Sequence, residues 1–172
     1  MKLVILGCGG HGLTVADIAR QTEEYDEIIM LDDNSDLAVG KCEDYYKYAD
    51  GDSCFYPAFG NNEGRLNWEN KFLSEGLPLA KIIHPLAYVS PEAKISDGCV
   101  VMPFAVVNTK AKIKKACIIN CSAIVDHGCI IEEGCHIAPG AIVKAENHLP
   151  ACTKVDSGEL IQIRQYPIGD EK

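Results

Sequence analysis

Hydrophobic positions in the second half of the chain recur every six residues. Ile83, Val89, Ile95, Val101, Val107, Ile113, Ile119, Val125, Ile131, Ile137, Val143, Leu149, Val155 and Ile161 keep one register without insertion or deletion. The residue four places after each is Ala or Cys from Ala87 through Ala141, and the pattern then loosens to Asn147 and Thr153. A period of six fits neither a plain helix nor a plain strand. It predicts a parallel β-helix, in which each hexapeptide forms a short strand and a turn. The large aliphatic residue points inward and the small one fits where the coil turns its corner. Three hexapeptides close a triangular coil, so residues 83–161 make about four and a half coils. Each coil rises about 4.8 Å, the spacing of paired strands.

The first eighty residues read differently. Val4-Ile5-Leu6 is a short buried strand that runs into Gly7-Cys8-Gly9-Gly10-His11-Gly12, and Leu13–Arg20 reads as a helix. A second apolar strand, Ile28–Leu31, ends in Asp32-Asp33. This is G-x-G-x-x-G between strand and helix, with acidic residues about twenty positions on. Such glycines let backbone approach a phosphate at a helix N-terminus; a tight turn without a ligand is the alternative. A strand at Cys54–Ala58, a helix at Leu66–Glu75 and a strand near Lys81–Ile83 complete a half-sized α/β unit. That size suits a mononucleotide or sugar nucleotide rather than a dinucleotide.

Composition narrows the classes. Apolar residues are 47% and charged residues 24%, the range of ordinary globular chains. No apolar run approaches the length that spans a bilayer, and Gly7 interrupts the N-terminal apolar stretch too early for a signal-peptide core. A cytoplasmic protein is therefore expected. The nine cysteines then read as reduced thiols. Cys99, Cys117 and Cys135 are eighteen apart and should stack in one interior column as small hydrophobes. A net charge of −9 disfavours nucleic acid and anionic membranes as partners. Lys110, Lys112, Lys114 and Lys115 cluster against that acidic background, as a solvated face or as point charges for the phosphates of a ligand.

Together, Gly7–Gly12, Leu31–Asp33, Gly60–Arg65 (G-N-N-E-x-R) and His84–Pro91 opening the repeat resemble the NeuD/PglD-like sugar acyltransferases. The resemblance runs over nearly the whole sequence. It implies a Rossmann-like nucleotide-sugar-binding domain over 1–80, a left-handed β-helix acyltransferase domain over 81–163 and a C-terminal tail over 164–172. It further implies a homotrimer, acetyl-CoA as co-substrate without a metal, and an amino or hydroxyl group of a nucleotide-linked sugar, such as a UDP-amino sugar, as acceptor in surface glycan synthesis. By the same resemblance His127 is the general base and His136 and Gly140 lie on the acetyl-CoA side. Asn120 touches the acceptor, and Gly9, Gly10, His11, Asp32, Asp33 and Asn61 hold the substrate. For His11 a turn-stabilising hydrogen bond is equally consistent. The family's acidic residue after the base is Gly128 here, so Asp126 or a neighbouring subunit must orient the imidazole. The chain also has fewer coils than the family's usual members.

A neutral imidazole is suited to accept a proton near neutral pH, so direct attack on a thioester needs no cysteine or serine nucleophile. His127 and His136 both point outward, and nine residues is half a coil, so they lie on different faces of one prism. They share a site only if two subunits contribute. His84 is expected to be structural, His148 exposed, and Leu160–Ile163 to fold across the last coil. Two other readings compete. A hexapeptide-type zinc carbonic anhydrase needs histidines five apart, and the intervals here are 73, 43, 9 and 12. A trimeric sugar-nucleotide-binding protein with weakened or lost activity accords with Gly128 and the missing coils.

Overall fold

A computed structural model describes residues 1–169. The N-terminal unit is a three-stranded parallel sheet flanked by two helices. Strand β1 (Lys2–Leu6) lies between β2 (Glu27–Leu31) and β3 (Ser53–Pro57). Helix α1 (Gly10–Thr22) joins β1 to β2, a 3₁₀ turn at Cys42–Tyr48 lies between β2 and β3, and α2 (Asn62–Ser74) follows β3. The expected strands are present within one residue, except that β1 begins two residues earlier, at Lys2. Both helices begin three or four residues earlier than their apolar periodicity shows, because α1 starts inside the glycine loop and α2 at the cap Asn61. The polar 3₁₀ segment had no sequence signal.

From Ile82 the chain winds through fourteen two-residue strands in three parallel faces, a left-handed β-helix. Face one stacks β4 (Ile82–Ile83), β7 (Val100–Val101), β10 (Ile118–Ile119), β13 (His136–Ile137) and β16 (Lys154–Val155). Face two stacks β5 (Tyr88–Val89), β8 (Val106–Val107), β11 (Ile124–Val125), β14 (Ile142–Val143) and β17 (Leu160–Ile161). Face three stacks β6 (Lys94–Ile95), β9 (Lys112–Ile113), β12 (Ile130–Ile131) and β15 (His148–Leu149). The second residue of each strand is the inward aliphatic, and from Val101 onward all of them are buried. Cys99, Cys117 and Cys135 are fully buried in the same core, each thiol donating to a turn carbonyl fifteen residues ahead: Lys114, Glu132 and Pro150.

The corners carry a second six-residue rule. Positions 98, 104, 110, 116, 122, 128, 134, 140, 146, 152, 158 and 164 all have positive φ, between 55° and 84°. Five of them are glycine; the others bear side chains at a cost of about 1 kcal/mol each. The interior repeat shows more plainly in the sequence than this corner repeat, because so many residue types accept the corner.

One core joins the two units. Outward-facing Ile82, Val100 and Ile118 of face one are buried with Leu3, Ile5, Val15 and Ile18 of β1 and α1. Helix α2 runs along the corner line of residues 98, 116, 134 and 152. Its pitch of about 5.4 Å nearly matches the rung spacing, so successive turns meet successive rungs. Asn62 donates to the Cys152 carbonyl (3.0 Å), Arg65 reaches Ala116 and Gly134, and Glu69 lies against Gly98.

The last coil is not closed by Leu160–Ile163. Leu160–Ile161 continues face two as β17, paired with β14. The following segment returns instead: Tyr166 packs against the end of the core and its N–H donates to Asn147 Oδ1 (2.8 Å). Fully buried Asn147 occupies a small-residue corner position and donates to the Lys144 and Gln162 carbonyls. Its three bonds explain the break in the Ala/Cys pattern there. Among the described residues no helix is long and apolar enough to cross a membrane.

Candidate active site

The glycine loop is shaped by one close approach. A Cβ on Gly12 would fall 1.9 Å from the Gly7 carbonyl oxygen, so only glycine lets α1 begin this near β1. Gly9 and Gly10 form the exposed start of the helix. Asp32 braces the loop from β2, accepting from Cys8 N (2.7 Å) and Asn34 N (2.7 Å), and these bonds hold its carboxyl below the ordinary value. Asp33 accepts from Cys42 N (3.0 Å), and Asn61 caps α2 by accepting from Gly64 N (2.7 Å). Each of these three thus has a bracing task in the loops beyond the parallel strands, where an open α/β sheet receives ligands.

His11 of the glycine loop lies close enough to His136, on the fourth rung of face one, for the two imidazoles to interact electrostatically. Outward positions on this face run Ile82, Val100, Ile118, His136, Lys154. The N-terminal unit covers the three apolar ones and leaves His136 half-buried at its edge. Asn120 Oδ1 accepts from Cys121 N (2.8 Å), which turns its amide nitrogen toward His136 Nε2 at 3.0 Å. The amide donates, so Nε2 accepts and the imidazole proton resides on Nδ1. Burial, with the positive charges of Arg65 and Lys154, pushes His136 down to about 4. His11, on α1, is also pushed down to about 4, by burial first and then by Arg65 and His136. Its Nε2 is sealed from solvent and has no hydrogen-bond partner among the described residues, beside the Tyr56 ring. The structure thus gathers Gly9, Gly10, His11, Asn120 and His136 on one side of the molecule. Gly140 lies exposed at the next corner, its N–H donating to the Cys121 carbonyl (2.9 Å).

His127 lies elsewhere, at the corner between β11 and β12. Its side chain is 57% exposed, and its Nδ1 is 3.0 Å from Asp126 Oδ1. That oxygen also accepts from His127 N (2.7 Å) and Asn108 Nδ2 (3.1 Å). Burial alone would raise the Asp126 carboxyl, but these bonds outweigh it and hold the group below its usual range. With Nδ1 engaged by a carboxylate, Nε2 is the proton-accepting atom, and it makes no hydrogen bond among the described residues. The imidazole borders an open recess of about 540 Å³ lined also by Asn108, Thr109, Lys110, Gly128 and Glu146. His127 and His136 therefore stand on different sides of one chain, as their register requires.

Gly128 occupies a left-handed corner (φ +66°). Glycine relieves the strain of that corner, and the carboxylate contact to the imidazole comes from Asp126 on the preceding residue. A Cβ at 128 would sit 3.6 Å from Glu146 Cγ of the next rung, so an acidic side chain there would meet another acid.

Some residues of this region carried no sequence signal for their task. Buried Arg65 donates to the carbonyls of Phe59 (2.8 Å), Ala116 (2.8 Å) and Gly134 (2.9 Å) and to Asn62 Oδ1 (2.9 Å), fixing the strand that bears His136. Asn108 anchors Asp126 from the rung below, eighteen residues away. Eighteen-residue spacing is the signal that locates such partners. His84 is structural, its Nδ1 accepting from Leu86 N (3.0 Å) with Nε2 beside Gln21 Oε1 (3.0 Å). His148 differs from expectation: it is half-buried and pairs with Glu132 at 2.8 Å, because on face three the outward residue of one rung meets the residue just after the strand of the rung below. Among the described residues no three His, Cys, Asp or Glu side chains converge as metal ligands would.

Residues 2–72 match the PglD N-terminal domain family. Over most of the chain the structure is similar to the acetyltransferase domain of PglB from Neisseria gonorrhoeae in complex with acetyl coenzyme A. The identity is 33%, covering 92% of this chain and 80% of that one, with a TM-score of 0.88. The chain belongs to the NeuD/PglD-like sugar acetyltransferase family. A second structure of the same PglB domain superposes with a TM-score of 0.91 at 29% identity, covering 98% of this chain and 93% of that one. A His-to-Asn mutant of perosamine N-acetyltransferase from Caulobacter crescentus, in complex with CoA and GDP-perosamine, gives 0.81 at 25% identity, covering 97% and 90%. As a member of the NeuD/PglD-like family the protein is an acyltransferase.

Proposed function

We propose that the protein transfers the acetyl group of acetyl-CoA to an amino or hydroxyl group of a nucleotide-linked sugar destined for surface glycan, with His127 as general base. The observation that carries this reading is the His127–Asp126 pair at the rim of an open recess. Asp126 holds the proton on Nδ1, and Nε2 takes the acceptor's proton as its nitrogen or oxygen attacks the thioester carbonyl. The tetrahedral intermediate collapses with cleavage of the C–S bond, and the departing thiolate takes up the proton held by His127 to leave as the coenzyme A thiol. His136, neutral at physiological pH and carrying its proton on Nδ1, donates to the carbonyl oxygen as charge builds there. The glycine loop, with Asp32 and His11, receives the nucleotide.

The working form is a homotrimer. The outward column of face two is Tyr88, Val106, Ile124, Ile142 and Leu160, flanked by exposed Leu86 and Phe104. An apolar strip of this length belongs against another protein surface, and three copies close it by rotation. The His127 corner borders this face, so the neighbouring chain supplies the His136 side of the pocket.

The test is thiol release from acetyl-CoA with a panel of UDP- and GDP-linked amino sugars. Transfer to at least one, and loss on the order of 10²–10⁴-fold in His127→Ala, is expected. No activity with any member, or full activity in the variant, refutes the proposal.

A further inference from the structure

The surplus of acid makes the placement of unpaired lysines informative. The chain carries 25 acidic and 16 basic residues. Lys2, Lys47, Lys71, Lys81, Lys115 and Lys154 each hold an ion pair with a carboxylate. Lys94, Lys110 and Lys112 hold none among the described residues, and all three line one groove of about 640 Å³ on the side of face three. Lys94 and Lys112 are direct register partners on adjacent strands, β6 and β9. Like charges so placed repel, although carboxylates are abundant enough to have separated them. Lys110 stands two residues before Lys112, on a left-handed corner. Among the described residues that line the groove, Glu92 is the one carboxylate, so these residues leave a balance of two positive charges, and Ile168 and Gly169 close one side. The groove is continuous with the His127 recess, since Lys110 and Gly128 line both. Ile130, the next outward residue above Lys112, gives it an apolar end.

Three ammonium groups around one trough, two of them forced together by register, form a receptor for a multiply charged anion. We infer that this groove binds the diphosphate of a nucleotide-type substrate whose reacting end lies at His127. The inference rests on the proposed acetyl transfer for the direction of that reacting end, and on the lysines alone for the anion. The shared chemistry is a phosphoric anhydride, carried by coenzyme A and by a nucleotide-linked sugar alike. Ammonium groups act on either as point charges.

The test uses the full chain with inorganic pyrophosphate, coenzyme A and UDP as calorimetric probes, and compares the wild type with Lys94→Ala/Lys112→Ala and Lys110→Ala. Pyrophosphate is expected to bind the wild type and to compete with one of the two nucleotides. The double variant should weaken that binding about tenfold or more and flatten its salt dependence. If the loss falls on coenzyme A, the groove serves the donor; if on UDP, it serves the acceptor. In turnover the Lys94→Ala/Lys112→Ala variant, whose residues lie outside the His127 recess, should raise KM for that substrate with kcat little changed. Unchanged binding of all three probes overturns the inference. So does a drop in assembly size by light scattering in the lysine variants with probe affinity retained, which would mean that the lysines hold a neighbouring chain. A wild type that binds these probes through the lysines yet releases no thiol defeats the proposed function and leaves the groove assigned. One that turns over while its lysine variants keep both KM values does the reverse.

Discussion

Glu69→Gln is the substitution whose effect follows most directly from the structure. Glu69 is fully buried where α2 lies on the β-helix, and among the described residues neither carboxyl oxygen has a well-formed hydrogen bond. Arg65, one turn earlier, is occupied by backbone carbonyls and Asn62. Burial pushes the Glu69 carboxyl from 4.5 up to about 9, and the thiol of Cys99 adds to this; the charges of Arg65 and Lys115 and the nearby Ala116 backbone offset only part. The folded state therefore binds this proton more tightly than the unfolded chain. The stabilisation is complete below pH 4.5 and is lost as pH rises through about 9. Within that window one proton changes the unfolding free energy by about 1.4 kcal/mol per pH unit. Between pH 6 and pH 8 the wild type should lose about 3 kcal/mol that Glu69→Gln, with no proton to release, does not lose. Urea unfolding of both proteins at the two pH values, at one fixed chain concentration so that the proposed trimer contributes equally to both, reads the difference directly. Two stability curves that stay parallel from pH 6 to pH 8, or a wild type that gains on the variant, would show that Glu69 is ionised in the fold and refute the reasoning.

Other substitutions probe the remaining contacts. Gly12→Ala drives a Cβ into the Gly7 carbonyl, so its melting temperature should fall well below the wild type's by calorimetry; an unchanged value would mean the loop can open without cost. Ile124→Glu on the outer column of face two should reduce the assembly to single chains by light scattering and abolish transfer, whereas a variant that stays assembled removes this face from the interface. Asp126→Asn exchanges an acceptor-only group for one that can donate, releasing the Nδ1 proton; kcat should fall by about 10²-fold or more with KM for acetyl-CoA nearly constant. Asn147→Ala removes three hydrogen bonds from the last coil and should cost about 1–3 kcal/mol in urea unfolding, with hydrogen exchange accelerating first in residues 148–166.

The β-helix was legible because its core obeys a strict rule: inward positions take Ile, Val or Leu, and a misplaced polar group would be buried unpaired. The place where that rule loosens, Asn147, marks the cap, which the pattern flagged without revealing its partners. The glycine loop was legible because Gly7 and Gly12 answer a steric demand. Much less could be read where partners are eighteen or more residues apart and bond through backbone. Arg65 appears in sequence as one basic residue after G-N-N-E, and only the fold brings the carbonyls of Ala116 and Gly134 to it. The side-chain pairs Asp126–Asn108 and His148–Glu132, eighteen and sixteen residues apart, were hidden because only the stacking of one coil on the next brings them together. The outer columns, apolar on face two and lysine-bearing on face three, emerge only when strands are sorted by face.

The alignment of α2 with the corner line has a consequence for how such a chain can change length. Asn62, Arg65 and Glu69 bolt the N-terminal unit to the rungs at 152, 134 and 98–116, so the offset between the glycine loop and His136 is set by the rungs up to residue 152. Material added or removed above that level, in whole eighteen-residue turns, leaves this offset untouched. An insertion of one residue between 98 and 134 would instead rotate every later side chain out of its column and slide the helix off its footing. The lower rungs behave as a fixed ruler, and the upper end is free to vary.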